Sequence, residues 1–334
     1  MFYWYDFIEG NDMIKFTLDK LDDEIGLKFN ENIILGKNNV NGFITNHHEL
    51  FNELNLESID NSQMLYGYNS LGNPIKLGFN GEKIKRIIVI SNSISTNRYK
   101  AIISYDGSRY SGFQIQKNQI TIQGELFKAI SSINNIRTSV HGASRTDAGV
   151  HALEYVFHFD AFNKLTPSRW KALLNYQLPK DIYVSSVKSV HPLFHSRYDV
   201  SKKEYVYRIR VKEKNPFMIK YEWQIDDINI DVLKQQIEQI IGTHDFLSFC
   251  KGQPISSIRT IFNAKVIEEG SLISLVFEGD GFLRYMIRIL VYTLVEVSKG
   301  HLKMNISEIL DEKSRKHTKH LAPASGLYLN KITY

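Results

Sequence analysis

The stretch from Phe282 to Gly300, FLRYMIRILVYTLVEVSKG, is the most apolar helical run in the chain. A surface helix needs only one apolar stripe, so a run this apolar belongs in the core, with other elements on either side. That requirement calls for a layered fold. The chain of 334 residues, 43% of them hydrophobic, is large enough for one big or two to three ordinary domains with a substantial core.

Elements that could supply those layers begin at Arg98. YKAIISY predicts a strand that runs into the glycine-rich loop YDGSRYSGFQIQ. TIQGELFKAISSI predicts a helix capped by Thr121, with Ile122, Leu126, Ile130 and Ile133 at helical spacing. RTSVHG reads as a short strand, and ALEYVFHF alternates Leu153, Tyr155, Phe157 and Phe159 against Glu154, Val156 and His158, the pattern of a half-buried strand. Thr166 and Pro167 open a second helix. IYVSSVKSV and EYVYRIRV read as strands, and DVLKQQIEQIIG as a helix stopped at Gly242. FNAKVIEE and LISLVFEG predict a hairpin around Glu269 and Gly270, and GLYLNKITY a last strand. The order predicts an α+β chain: two α/β halves, 98–192 and 193–334, with mixed, mostly antiparallel sheets flanked by helices.

Residues 1–97 differ. Their apolar runs are short and broken by Gly and Asn, which predicts a small, mostly β module ending in the polar linker SNSISTN. They carry 8 basic and 13 acidic residues, a net of −5, so the rest of the chain carries +10 of the overall +5. A basic field of that kind attracts polyanions and supplies phosphate contacts.

Several functions are excluded by pattern. No run approaches eighteen apolar residues and the N-terminus is acidic, which predicts a soluble cytoplasmic protein with no membrane partner. Cys250 is the only cysteine, so an intramolecular disulfide or cysteine-based zinc cluster is impossible, and a small buried hydrophobe is expected there. GFNGEK lacks the spacing of a phosphate-binding loop, so no nucleotide cofactor is expected. His151 and His158 fall on opposite strand faces, and His47–His48 and the pair His317 and His320 lack companions at ligand spacing, so no metal is expected. GASRT is not the elbow of a serine nucleophile.

Asp147 remains, in GASRTDAGVHA between two predicted strands. Gly142 and Gly149 permit tight backbone there, and Arg145 lies two residues before the carboxylate. An aspartate before Ala-Gly commonly caps a turn, but a loop rooted in a sheet also projects catalytic groups.

SRTDAGVHA resembles the signature of the bacterial tRNA pseudouridine synthase A family, GRTDAGVHA, with Ser144 in place of its first glycine. YDGSRYSGFQIQ, TIQGEL, LNYQLPKDI, FHSRYDVSKKEYVYRI, GTHDFLSFC, RTIFNAKV, GFLRYMIRILVYTLVEVSKG and APASGLYL resemble further blocks of that family, in its order, over about Arg98 to Tyr334. Residues 1–97 lie outside the resemblance.

The resemblance implies a pseudouridine synthase fold around a central cleft, and a homodimer that isomerises uridine at tRNA positions 38 to 40 without a cofactor. It makes Asp147 the nucleophile, acting by attack at C6, attack at C1′ or removal of a ribose proton. A dry carboxylate needs a cation to stay ionised, and the resemblance assigns that ion pair to Arg288; Ile289 stands where the family usually has Asn. Arg145 goes to RNA handling, in the space left by the flipped base. Tyr205 goes to stacking on the uracil, although Tyr207 faces the same way on the strand. Arg109, Lys202, Lys203, Arg315 and Lys316 are expected phosphate contacts. Asp106 caps a turn in a loop that touches RNA, and His151 is a structural member of the catalytic loop.

Overall fold

The computed structural model describes residues 97–334, apart from 162, 164, 192 and 193, and before them the backbone of six short strands. These are Leu27–Phe29, Asn32–Gly36, Ile44–Thr45, Leu65–Tyr68, Pro74–Leu77 and Arg86–Ile90, β1 to β6. They form a four-stranded sheet in the order β1-β2-β6-β3 and the separate pair β4-β5. The chain divides into two compact units, Met1–Arg98 with Val190–Phe194, and Tyr99–Ser189 with His195–Tyr334. The second contains every candidate site residue.

Its centre is a ten-stranded mixed sheet. The strands are β7 (Asn97–Tyr105), β8 (Val140–Gly142), β9 (His151–Ala161), β10 (Ile182–Val190), β11 (Lys202–Val211), β12 (Trp223–Ile225), β13 (Gly242–Asp245), β14 (Ile258–Glu269), β15 (Leu272–Gly279) and β16 (Leu327–Thr333). The main path runs β10-β7-β9-β16-β11-β15-β14-β13, with β8 paired to β9 and β12 to β11. The C-terminal strand joins the two halves: β16 is parallel to β9 at Tyr328 and Leu329 and antiparallel to β11. Both halves therefore belong to one continuous sheet.

Five helices flank it among the described residues: α1 (Ile122–Asn134), α2 (Pro167–Gln177), α3 (Ile230–Glu238), α4 (Met286–Ser298) and α5 (Ile306–Asp311). Thr121 and Thr166 cap α1 and α2 by accepting from Gly124 N and Arg169 N, satisfying donors that the first helical turn leaves unpaired. The apolar run supplies α4, ten of whose thirteen residues are buried, and α4 packs on α3.

Three elements differ from the sequence pattern. Helix α3 ends at Glu238, short of Gly242, which takes φ +112 and opens β13 instead. Helix α4 begins at Met286, four residues later than its apolar pattern, because Tyr285 sits in the left-handed region at φ 62. Strand β9 is buried on both faces from Tyr155 to Phe159. On one side Phe159 meets Trp170 of α2 edge-on; on the other His158 packs on His195. Alternation showed two faces but could not show that each would be covered. Cys250 is buried, as its apolar surroundings suggest.

Candidate active site

The loop between β8 and β9, residues 143–150, carries Asp147, and several backbone groups on either side of it are held. Ala143 N donates to Val156 O (3.0 Å), Phe113 N to Thr146 O (3.1 Å), Gly149 N to Tyr110 O (3.2 Å) and Val150 N to Asp147 O (3.2 Å). The Tyr155 hydroxyl, fully buried, accepts from Ser144 N at 3.2 Å and donates to Ser144 O. Thr146 Oγ1 shares a 2.8 Å bond with the Tyr105 hydroxyl. Glycine is required at Gly112: its φ is +89, and a Cβ there would stand 2.5 Å from Thr146 O. Backbone packed this closely fixes the direction in which the loop projects its side chains.

Asp147 meets Arg288 of α4, with Arg288 Nη1 3.5 Å from Asp147 Oδ2. The guanidinium is anchored on its other edge, where Nε donates to Ala322 O at 2.8 Å, and Ala322 N donates back to Arg288 O at 3.0 Å. Both side chains are mostly buried, at 14% exposure for Arg288 and 26% for Asp147. Burial pushes the Asp147 carboxyl above its usual range, and Arg288 and then Arg284 pull it back only in part. The group is a carboxylate of raised basicity beside a fixed cation, suited to nucleophilic or base chemistry.

Tyr205 and Tyr207 share a face of β11 but differ in use. The Tyr207 ring is fully buried and its hydroxyl donates to Pro323 O at 2.7 Å. The Tyr205 hydroxyl instead reaches the Asp147 loop, 3.2 Å from Ser144 Oγ, while Phe282 meets its ring edge-on at 5.1 Å. Burial pushes its phenol up to about 12, so it is neutral at physiological pH. The serine that departs from the family signature is what gives Tyr205 this partner.

The expected RNA contacts separate. Arg145 is exposed, and no ion pair among the described residues uses it. Arg109 is bound to Asp181 at 2.6 Å and Lys202 to Glu278 at 3.0 Å. Lys203 Nζ donates to Ala143 O at 3.0 Å, at the foot of the Asp147 loop. Burial, together with Arg197 and Arg259, lowers its pKa to about 8. Arg315 donates to Thr318 O while its Nε is buried without an acceptor, and Lys316 is exposed.

His151 is fastened on both nitrogens: Gly107 N donates to Nδ1 (3.1 Å), and Nε2 lies 2.9 Å from Lys220 O. Burial lowers its pKa, which favours the neutral ring and a structural role. Asp106 accepts from Ser108 N and from the Tyr221 hydroxyl, both at 2.9 Å, fixing the preceding loop.

Two features were missed from the sequence. His141 is the direct cross-strand partner of His158, and with His195 they form a buried group whose ring nitrogens lie within 4.8 Å; strand register, which spacing alone does not give, brings them together. Arg284 and Tyr285, just before Arg288 in the chain, lie beside the Asp147–Arg288 pair, in the same apolar run, whose pattern marks neither of them out.

Comparison with known proteins gives four findings. The family described as tRNA pseudouridine synthase matches residues 101–199 and 237–334. The tRNA pseudouridine synthase A of Anoxybacillus flavithermus is 40% identical over 242 residues, 71% of this chain and 98% of that protein. The tRNA pseudouridine synthase A 2 of Bacillus anthracis is 39% identical over 244 residues, 71% of this chain and all of that protein. The solved archaeal box H/ACA sRNP Nop10–Cbf5 complex is only slightly similar, with 12% identity over 59% of this chain and 42% of that one, at a TM-score of 0.28.

Proposed function

Because the chain belongs to the tRNA pseudouridine synthase family, and so is an isomerase that converts uridine to pseudouridine in tRNA, we propose that it acts on the anticodon stem-loop at positions 38 to 40, with Asp147 as its nucleophile. The observation that carries the assignment is the Asp147–Arg288 pair, 3.5 Å apart at the end of a loop held by buried hydrogen bonds. Uridine and pseudouridine are isomers, so the protein supplies position, a reactive group and a dry pocket. Uracil must leave ribose at N1, stay bound, turn and reattach through C5. Arg288 keeps Asp147 ionised, Tyr205 offers a ring on which the detached uracil stacks, and Arg145 occupies the gap left by the flipped nucleotide.

Each suggested route, attack at C6, attack at C1′ or removal of a ribose proton, requires Asp147 as the anion. Incubation with anticodon-arm tRNA tritiated at C5 of uridine is expected to release tritium. Asp147→Asn is expected to bind the RNA but lose turnover on the order of 10⁴-fold. Wild-type turnover in that variant would remove Asp147 from the chemistry.

The reading places catalysis in residues 98–334, with 98–192 carrying the aspartate loop and 193–334 the tyrosine and arginine, and makes residues 1–97 accessory. It also includes a cytoplasmic homodimer, for which light scattering is expected to give about twice the chain mass of 38.7 kDa.

A further inference from the structure

We propose that Lys251 and Arg284, both close to the Tyr285 ring at the head of α4, clamp the RNA phosphate next to the target uridine. The inference rests on the reading of the chain as a tRNA pseudouridine synthase. It concerns residues for which the sequence suggested no role.

Three cations surround one ring. Lys251 Nζ lies 5.5 Å from the Tyr285 centroid, Arg284 Cζ 5.2 Å and Arg288 Cζ 5.6 Å. An aromatic face attracts an exposed cation only weakly, a modest gain against the mutual repulsion of three. Arg288 is committed to Asp147 and Ala322 O. Lys251 and Arg284 are both exposed, and no ion pair among the described residues uses either. That contrasts with Arg109 and Lys202, whose charges carboxylates already neutralise.

The two cations are held together by the backbone. Lys251 N donates to Arg284 O at 3.2 Å, tying the segment after the 3₁₀ turn Leu247–Phe249 to the head of α4. Tyr285 at φ 62 is a left-handed position that a tyrosine takes at a cost, and such positions recur where a site must be shaped. The thirteen-residue helix that follows adds the positive end of its dipole. More positive charge lies close by, since Arg259, Arg315 and Arg284 all act on the Cys250 thiol. Arg284 also acts on Asp147, which puts the clamp beside the reacting centre. A mobile dianion would satisfy the same charges, but a polyanion whose uridine must reach Asp147 brings a phosphodiester to this position with it.

The test compares wild type, Lys251→Ala/Arg284→Ala and an exposed control, Lys128→Ala, in binding anticodon-arm RNA from 50 to 300 mM KCl. Thermal midpoints are measured in parallel to show that the exposed substitutions leave the fold intact. The double variant is expected to bind about tenfold more weakly at 0.1 M salt, with the slope of log K against log salt shallower by about one. Replacing the phosphate next to the target uridine by a neutral methylphosphonate is expected to weaken wild-type binding but not to weaken the double variant further. A wild-type slope in the double variant, or additive losses with the methylphosphonate, would overturn the clamp. Pseudouridine formation by wild type is scored separately: its absence defeats the functional reading, whereas a failed clamp alongside normal pseudouridine formation defeats only the clamp.

Discussion

The Asp147 loop and the Tyr285 turn meet at the same site and are built in opposite ways. The loop is held mainly by neutral groups: buried tyrosine hydroxyls from Tyr105 and Tyr155, backbone amides, and a glycine through which backbone passes at close range, with the Lys203 amine as a cation bonded to the backbone at its foot. The turn is dominated by cations around one ring in a left-handed backbone position. The difference separates two tasks. A reacting carboxylate needs its position determined and its water removed, which dipoles and packing accomplish without adding charge. A polyanionic substrate needs charge within its reach, which burial would defeat. Arg288 is the point of contact between the two constructions: its guanidinium binds Asp147 and Ala322 O and lies 5.6 Å from the centre of the Tyr285 ring.

Breaking that contact is expected to have the largest effect. Arg288→Ala leaves Asp147 in a mostly buried place without its nearest cation, so the proton is held to higher pH and kcat falls, on the order of 10²–10³-fold, as for loss of one preorganised electrostatic partner. Arg288→Lys keeps the charge but not the fork that spans Asp147 and Ala322 O, and should recover only part of the rate in a single-turnover assay. Equal rates for Arg288→Lys and wild type would show that charge alone matters here.

The next largest effect is on the loop's construction. Gly112→Ala forces a Cβ to within 2.5 Å of Thr146 O at a φ of +89, which should cost about 3 kcal/mol or more and appear as a lower Tm and a lost rate together. Tyr155→Phe removes the hydroxyl that serves both Ser144 N and Ser144 O, a loss of about 1–3 kcal/mol because buried groups are left unpaired. Comparable substitutions in the turn, such as Lys251→Ala, should leave Tm near the wild-type value. A turn variant that destabilised as strongly as Gly112→Ala would erase the distinction between the two constructions.

How much of this could be read from sequence follows the same division. The apolar run placed α4 in the core because burial leaves a composition signal, and Thr121, Thr166 and Pro167 marked helix starts because capping is local chemistry. Asp147, Tyr205 and Arg288 came from motifs, which preserve residue identities across a chain whose contacts are far apart in sequence. Contacts set by register and backbone conformation were hidden. His141 meets His158 only because β8 and β9 pair where they do, and Tyr285 delays the start of α4 through a φ that no residue near it announces. Lys203 looked like a surface cation, yet its amine lies at the foot of the loop, because alternation along β11 does not reveal which long side chain turns inward.

The smallest effect expected is a displacement of the pH profile, and it tests whether the turn acts on the loop at all. Asp147 must be ionised to react, so kcat/KM should be full above its raised pKa and fall as pH drops through it. The charges facing it are Arg288 and Arg284, while Tyr205 is neutral across the working range. Removing Arg284 takes away the weaker of the two opposing cations, so Arg284→Ala should move the acidic limb to higher pH, by less than Arg288→Ala does, whereas Lys251→Ala should leave the limb in place. For stability the sign is reversed. The native state holds the Asp147 proton to higher pH than the unfolded chain, so stability is lost as pH rises through that interval, and at neutral pH the ionised carboxylate weighs against folding. Asp147→Asn keeps an acceptor for Arg288 without the charge, so it should match or exceed the wild-type Tm while being inactive. A lower Tm would mean that attraction to Arg288 outweighs burial and that the carboxylate is not held above its usual range.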